Sequence, residues 1–136
     1  MFKNTSITGI ARYEAGEPDI EGNIKHAQFT LDNQVFMAMD SSAQHLFAFN
    51  EGVSLVVDCD NQAEVDYYWG KLTEGGEESM CAWLKDAFGV SWQIVPKLLS
   101  KLLNDPDRVK AGRAMQAMMQ MRKIDTIALQ KAFDGA

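Results

Sequence analysis

Ile24-Lys25-His26-Ala27-Gln28-Phe29-Thr30-Leu31-Asp32-Asn33-Gln34-Val35-Phe36-Met37-Ala38-Met39 is the stretch on which the fold turns. Ala27, Phe29 and Leu31 fall on one side of an extended chain and His26, Gln28 and Thr30 on the other. This is the period of two that a half-buried strand shows. Asp32-Asn33 reads as a tight turn and Gln34 to Met39 as the returning strand, so the stretch predicts a β-hairpin. Upstream, Ser6 to Tyr13 alternates in the same way and predicts a further strand. Glu14 to Asp19 follows it as a loop punctuated by Gly16 and Pro18.

Downstream, Ser41 to Glu51 is a polar and aromatic connector. Val53-Ser54-Leu55-Val56-Val57 is nearly continuous in apolar residues and predicts a strand buried on both faces. Asp60 is the expected N-cap of a helix over Glu64–Leu72, with Val65, Tyr68, Trp69 and Leu72 on one side and Gly75-Gly76 at its end. Met80 to Leu84 and Val90 to Val95 predict two strands joined by the turn Asp86-Ala87-Phe88-Gly89. From Lys97 the pattern is helical. Leu98, Leu99, Leu102 and Leu103 mark one short helix. Asp105-Pro106 reads as the N-cap and first position of the next, and Asp125 as the cap of a last one. Val109, Met115, Met118, Met119 and Met121 form a stripe expected to fill a core or a subunit contact. A strand-rich first half, one central helix and a helical tail define an α+β protein.

The chain has 136 residues, 46% hydrophobic and 24% charged. That composition excludes collagen-like, low-complexity and largely disordered chains. The net charge of −6 argues against broad affinity for nucleic acid or anionic lipid. No apolar run reaches the roughly 20 residues that a membrane span needs. The start, Met1 to Thr8, has no signal-peptide core, which leads to the expectation of a cytoplasmic protein. Residues 1–95 hold 15 acidic and 5 basic side chains, and residues 96–136 hold 4 and 8. Such a tail either pairs with its own body or a second subunit, or is simply solvated. Cys59 and Cys81 have no CxxC spacing and read as free thiols.

No Walker loop, GxGxxG, GxSxG or HExxH motif is present. Two histidines and scattered serines define no catalytic triad. His26 is the best single candidate for chemistry. It stands beside Gln28 on the polar side of its strand, where it would bind a ligand or move a proton, or else face solvent. Gln93 shares a strand face with Ser91 and is a candidate for orienting a ligand, against the alternative of an exposed strand position. Trp83 and Trp92 flank the Asp86–Gly89 turn and are either core or the walls of an apolar pocket.

Three blocks carry a family resemblance: His26 to Asp40, Val65-Asp66-Tyr67-Tyr68-Trp69-Gly70-Lys71-Leu72, and Cys81 to Pro96. Lys110-Ala111, Met115 to Met119 and Met121 to Asp125 extend it over nearly the whole chain. The sequence resembles the PhnB-like branch of the vicinal oxygen chelate superfamily, the glyoxalase, bleomycin-resistance and extradiol dioxygenase group. The same domain often carries the label 3-demethylubiquinone-9 3-methyltransferase. The resemblance implies glyoxalase-like βαβββ modules, a cup-shaped sheet and a homodimer. Residues 1–136 are then one domain: a first module over 1–50 that lacks its opening strand and helix, a second over 51–96, and the helical tail over 97–136. The interval Glu74–Met80 is too short for a full strand, so the second module is expected to be abbreviated.

The resemblance also implies a metal ligand four residues after the Gly of the final hairpin turn. Here Gln93 stands four residues after Gly89. Gly52 to Ser54 and Phe36 to Met39 supply none of the other usual ligands, so the expectation is no metal and no cofactor. No glycine-rich nucleotide loop follows a strand, so the methyltransferase label finds no residues to support it. The leading expectation is therefore a homodimer that holds a small organic ligand in a cup. Phe29, Phe36, Trp83 and Trp92 would wall it, with His26, Gln28 and Gln93 as polar contacts. The alternatives are a metal-dependent lyase or oxygenase using His26 and Gln93, and a structural or regulatory dimer without a small-molecule site. An unpaired edge strand in the first module is a further reason to expect dimerisation.

Overall fold

The computed structural model describes residues 1–136, and the chain divides into two compact units, Met1–Phe47 and Ala48–Ala136.

The first unit is an antiparallel sheet of three strands, β1 (Ser6–Arg12), β2 (Ile24–Leu31) and β3 (Gln34–Ala38), in the order β1-β2-β3. Asp32 and Asn33 both take positive φ, +48° and +66°. Two successive left-handed residues give a turn whose twist matches the flanking strands, and this fixes the register Phe29↔Phe36 and Leu31↔Gln34. The register of β1 on β2 shifts between Ile7 and Gly9, as at a bulge. The 13–23 loop is tied down by Tyr13 N–H to the Asn23 carbonyl at 2.9 Å and by the Lys25–Glu17 ion pair. No helix lies in this unit, and none of its residues is buried.

The second unit begins with a βαβββ succession: β4 (Ser54–Cys59), α1 (Gln62–Thr73), β5 (Glu77–Glu78), β6 (Trp83–Lys85) and β7 (Ser91–Pro96). The sheet order is β4-β7-β6-β5, with β4 parallel to β7 and the other pairs antiparallel. The module is abbreviated at its edge, as expected: between Glu74 and Met80 only Glu77 and Glu78 form a strand. Gly76 allows this, because a Cβ there would stand 2.2 Å from the Lys85 carbonyl oxygen.

Four local expectations are corrected. The N-cap of α1 is Asn61, not Asp60. The Asn61 side chain accepts from Glu64 N–H at 3.1 Å, and Asp60 pairs with Lys97 instead. Strand β4 is buried on one face only: Val57 and Cys59 are buried, whereas Val56 is 57% exposed. Strand β6 starts at Trp83, not Met80. Cys81 and Ala82 are left-handed (φ +59° and +73°), and their N–H groups bond to the Met121 and Arg122 carbonyls at 2.7 and 2.9 Å. The N-cap of the second tail helix is Asp107, not Asp105. Pro106 lies outside that helix, and the Asp105 carboxylate accepts from Asp107 N–H.

The tail folds as α2 (Lys97–Leu103), α3 (Arg108–Met118) and α4 (Thr126–Asp134) around Ala82, Leu99, Leu102, Ala114, Ile124, Leu129 and Phe133. The methionine stripe does not make this core. Ala111 and Ala114 are the buried side chains of α3, and Met118 and Met121 pack at the margin. Met115 and Met119 are exposed. Gln62 fastens the tail to α1: its amide donates to the Ile124 carbonyl at 2.9 Å and accepts from Thr126 N–H at 2.8 Å. Lys123–Asp66 at 2.6 Å and Lys97–Asp60 then pair the basic tail with the acidic body of its own unit.

Candidate functional site

Strand alternation divides the second unit's sheet into two faces. Val57 and Cys59 of β4, Leu84 of β6, and Trp92 and Ile94 of β7 are buried, and Val65, Trp69 and Leu72 of α1 are buried with them. The opposite face carries Ser54 and Val56 of β4, Trp83 and Lys85 of β6, and Ser91 and Gln93 of β7, brought side by side by the registers Ser54↔Ser91↔Lys85 and Val56↔Gln93↔Trp83. Against this face lies a pocket of about 410 Å³, within the size range of small-molecule sites.

Trp83 supplies a partly exposed aromatic wall to the pocket, and Met80 and Cys81 supply soft, polarizable surface. Glu51, Glu77 and Lys85 bring the charges. The Lys85 ammonium is paired with the Glu51 carboxylate. That hydrogen bond raises the lysine pKa above its ordinary value and lowers that of the glutamate. Ser91 is only 1% exposed, and its hydroxyl has no hydrogen-bond partner. A buried hydroxyl left unpaired is a rarity in a folded protein. Of the two thiols only Cys81 reaches the pocket. Cys59 sits in the core, where burial pushes its pKa up to about 11.

The seven residues singled out by sequence are distributed over both units. Trp83 lines the pocket. Gln93, its neighbour across the ladder, donates to the Ser54 hydroxyl at 2.9 Å. Trp92 lies on the helix-covered face, and its indole donates to the Asp86 carboxylate at 2.9 Å. In the first unit, Phe29 and Phe36 stack with ring centres 5.7 Å apart. His26 and Gln28 occupy the other face of that sheet, where the Gln28 amide donates to the Thr8 hydroxyl at 3.2 Å. The structure therefore brings together Phe29 with Phe36, and Trp83 with Gln93. It sets His26 and Gln28 back to back with the two phenylalanines. No group of three or more His, Cys, Asp or Glu side chains is arranged to hold a metal ion. Ser91 and Lys85 were missed as site residues. Counting back by two from Gln93 puts Ser91 on the right face, but its missing partner has no sequence signal.

The βαβββ succession, with β4 parallel to β7, fits the module expected of the vicinal oxygen chelate superfamily. The family model for 3-demethylubiquinone-9 3-methyltransferase matches residues 1–95, and the chain belongs to that family. Helices α2–α4 lie beyond the matched residues. The chain is similar to a Bacillus cereus structure described as a PhnB protein and candidate 3-demethylubiquinone-9 3-methyltransferase. The two are 37% identical over 70% of this chain and 81% of that one, with a TM-score of 0.65. A structure from Pseudomonas aeruginosa shares the fold at 23% identity over 67% of this chain and 77% of that one, with a TM-score of 0.56. None of the curated proteins matches.

Proposed function

We propose that this PhnB-like protein is a cytoplasmic homodimer that binds a small organic ligand on the open face of its second-unit sheet, without the metal site usual in the superfamily. The observation that carries the reading is the pocket of about 410 Å³ beside Trp83, with Ser91, whose buried hydroxyl has no protein partner, among its lining residues. A pocket lined by an aromatic ring, a serine and one ion pair suits recognition of a small molecule. The dimer is supported by the first unit, whose sheet buries no residue by itself.

The test is metal content by elemental mass spectrometry, with thermal melting before and after chelator and in the presence of candidate organic ligands. The expected result is a melting temperature that rises with ligand and ignores chelator. Near-stoichiometric metal whose removal lowers the melting temperature would overturn the metal-free reading in favour of a lyase or oxygenase.

A further inference from the structure

We propose, resting on the binding reading above, that the Trp83 pocket selects a flat, uncharged or cationic molecule, held by a hydrogen bond to the Ser91 hydroxyl, and rejects anions of the same shape. Three observations carry this. The Ser91 oxygen is buried and has no partner within the protein, so a ligand atom that reaches it adds a hydrogen bond that the fold does not itself make. A hydroxyl both donates and accepts, so a carbonyl, an amide or an amidinium group serves equally.

The charge of the lining sets the second preference. The lining carries two carboxylates, Glu51 and Glu77, against the single ammonium of Lys85, which pairs with Glu51 and also feels Glu77, so the pocket keeps one net negative charge. An anion entering beside it meets net repulsion, and a cation meets attraction. Trp83 sets the third: an indole face offers stacking to a planar group, and stacking on a cation is favoured further. Lys85 is paired with Ser91 across the ladder and ends in a partly exposed ion pair with Glu51, so its movement would open the hydroxyl to a ligand at modest cost.

The experiment uses the full chain and three probes of one shape: benzamide, benzamidine and benzoate. Binding is followed by NMR at the Trp83 indole and the Ser91 amide. Benzamide and benzamidine are expected to bind at millimolar concentration, with benzoate about 10-fold or more weaker. Ser91→Ala should weaken benzamide about 5-fold while leaving the melting temperature unchanged or higher, because it removes an unpaired buried hydroxyl. Glu77→Gln, on the exposed edge strand, should cut the preference for benzamidine over benzoate about 3-fold or more, and it decides the charge arm if Ser91→Ala does not fold. Benzoate binding as tightly as benzamidine, or benzamide affinity unchanged in Ser91→Ala, would overturn this inference and leave the binding reading standing. Failure of all three probes to perturb Trp83 would overturn both.

Discussion

Asp86 shows how much one side chain can organise. Its carboxylate accepts from Phe88 N–H at 2.9 Å, Val90 N–H at 3.0 Å and the Trp92 indole at 2.9 Å. It therefore shapes the turn that sets the β6–β7 register and pins Trp92 to the helix-covered face. The register, in turn, puts Ser91 and Gln93 on the open face. Asp86→Ala leaves three donors without their acceptor and is expected to cost about 2–4 kcal/mol, measured by denaturant unfolding. A loss below about 0.5 kcal/mol would show that the turn holds without it. Asp19 acts in the other unit. Ser42, through its hydroxyl and its backbone N–H at 2.9 Å, holds the Asp19 carboxyl at about 2, below the ordinary 3.8. The folded pKa lies below the unfolded one, so the unfolded chain binds the proton first. The contribution is complete above about pH 4 and is lost as pH falls through about 2. An NMR titration should place the Asp19 midpoint near 2, and a midpoint near 3.8 would mean that the Ser42 tie does not persist in solution. At this scale the sequence was only partly legible. Trp83 and Trp92 are the same residue type in one hairpin, and only the strand register assigns one to the pocket and the other to the core.

Elements were readable where local chemistry decides them alone. The alternation of Ile24–Leu31 and the Asp32-Asn33 turn gave β2 its observed bounds, because a left-handed pair in a two-residue loop fixes both register and face. Asp125 caps α4 as expected, accepting from Ile127 and Ala128 N–H at 2.9 Å. Elements were misread where the decision is tertiary. The methionines of the tail were expected to fill a core or a subunit contact; within the chain only Met118 and Met121 pack on the core margin, and α3 buries Ala111 and Ala114, small side chains that let helices approach closely. Asp105 and Asp107 both suit a cap, and only the path of the chain out of α2 selects the second. The expectation of no full strand over Glu74–Met80 agrees with the two-residue edge β5, where two glutamates carry no strand signal and pairing with Lys85 and Leu84 alone makes the strand. Gly76 is the point where that edge is decided. A methyl group there meets the Lys85 carbonyl and the Asp86 backbone, neither of which yields easily. Gly76→Ala is expected to cost about 2–3 kcal/mol and to detach β5, seen as rapid hydrogen exchange at Glu77 and Glu78. Protection equal to that of the parent protein would refute it.

At the scale of the molecule, the two units are unequally provided for. Residues 48–136 contain every buried side chain, with a helix on one face of the sheet and a tail cluster built on Leu99, Leu102, Ile124 and Leu129. Residues 1–47 have a three-stranded sheet and no interior. Ile7, Val35 and Met37 are 70%, 61% and 66% exposed. A three-stranded sheet needs a covered face for stability, and a unit this small lies near the lower limit for independent folding. The hydrophobic effect therefore demands cover that the unit's own residues do not supply. A second copy of the chain is the cover expected from the resemblance. The physical consequence is a difference in autonomy: a fragment 48–136 should unfold cooperatively by itself, and a fragment 1–47 should be unfolded. The intact chain should sediment as a dimer at micromolar concentration. Val35→Glu with Met37→Glu would place two charges on the exposed side of the hairpin and should weaken that dimer about 10-fold or more. A monomeric mass for the intact chain would overturn the dimer, and a folded 1–47 fragment would show that the sheet needs no cover.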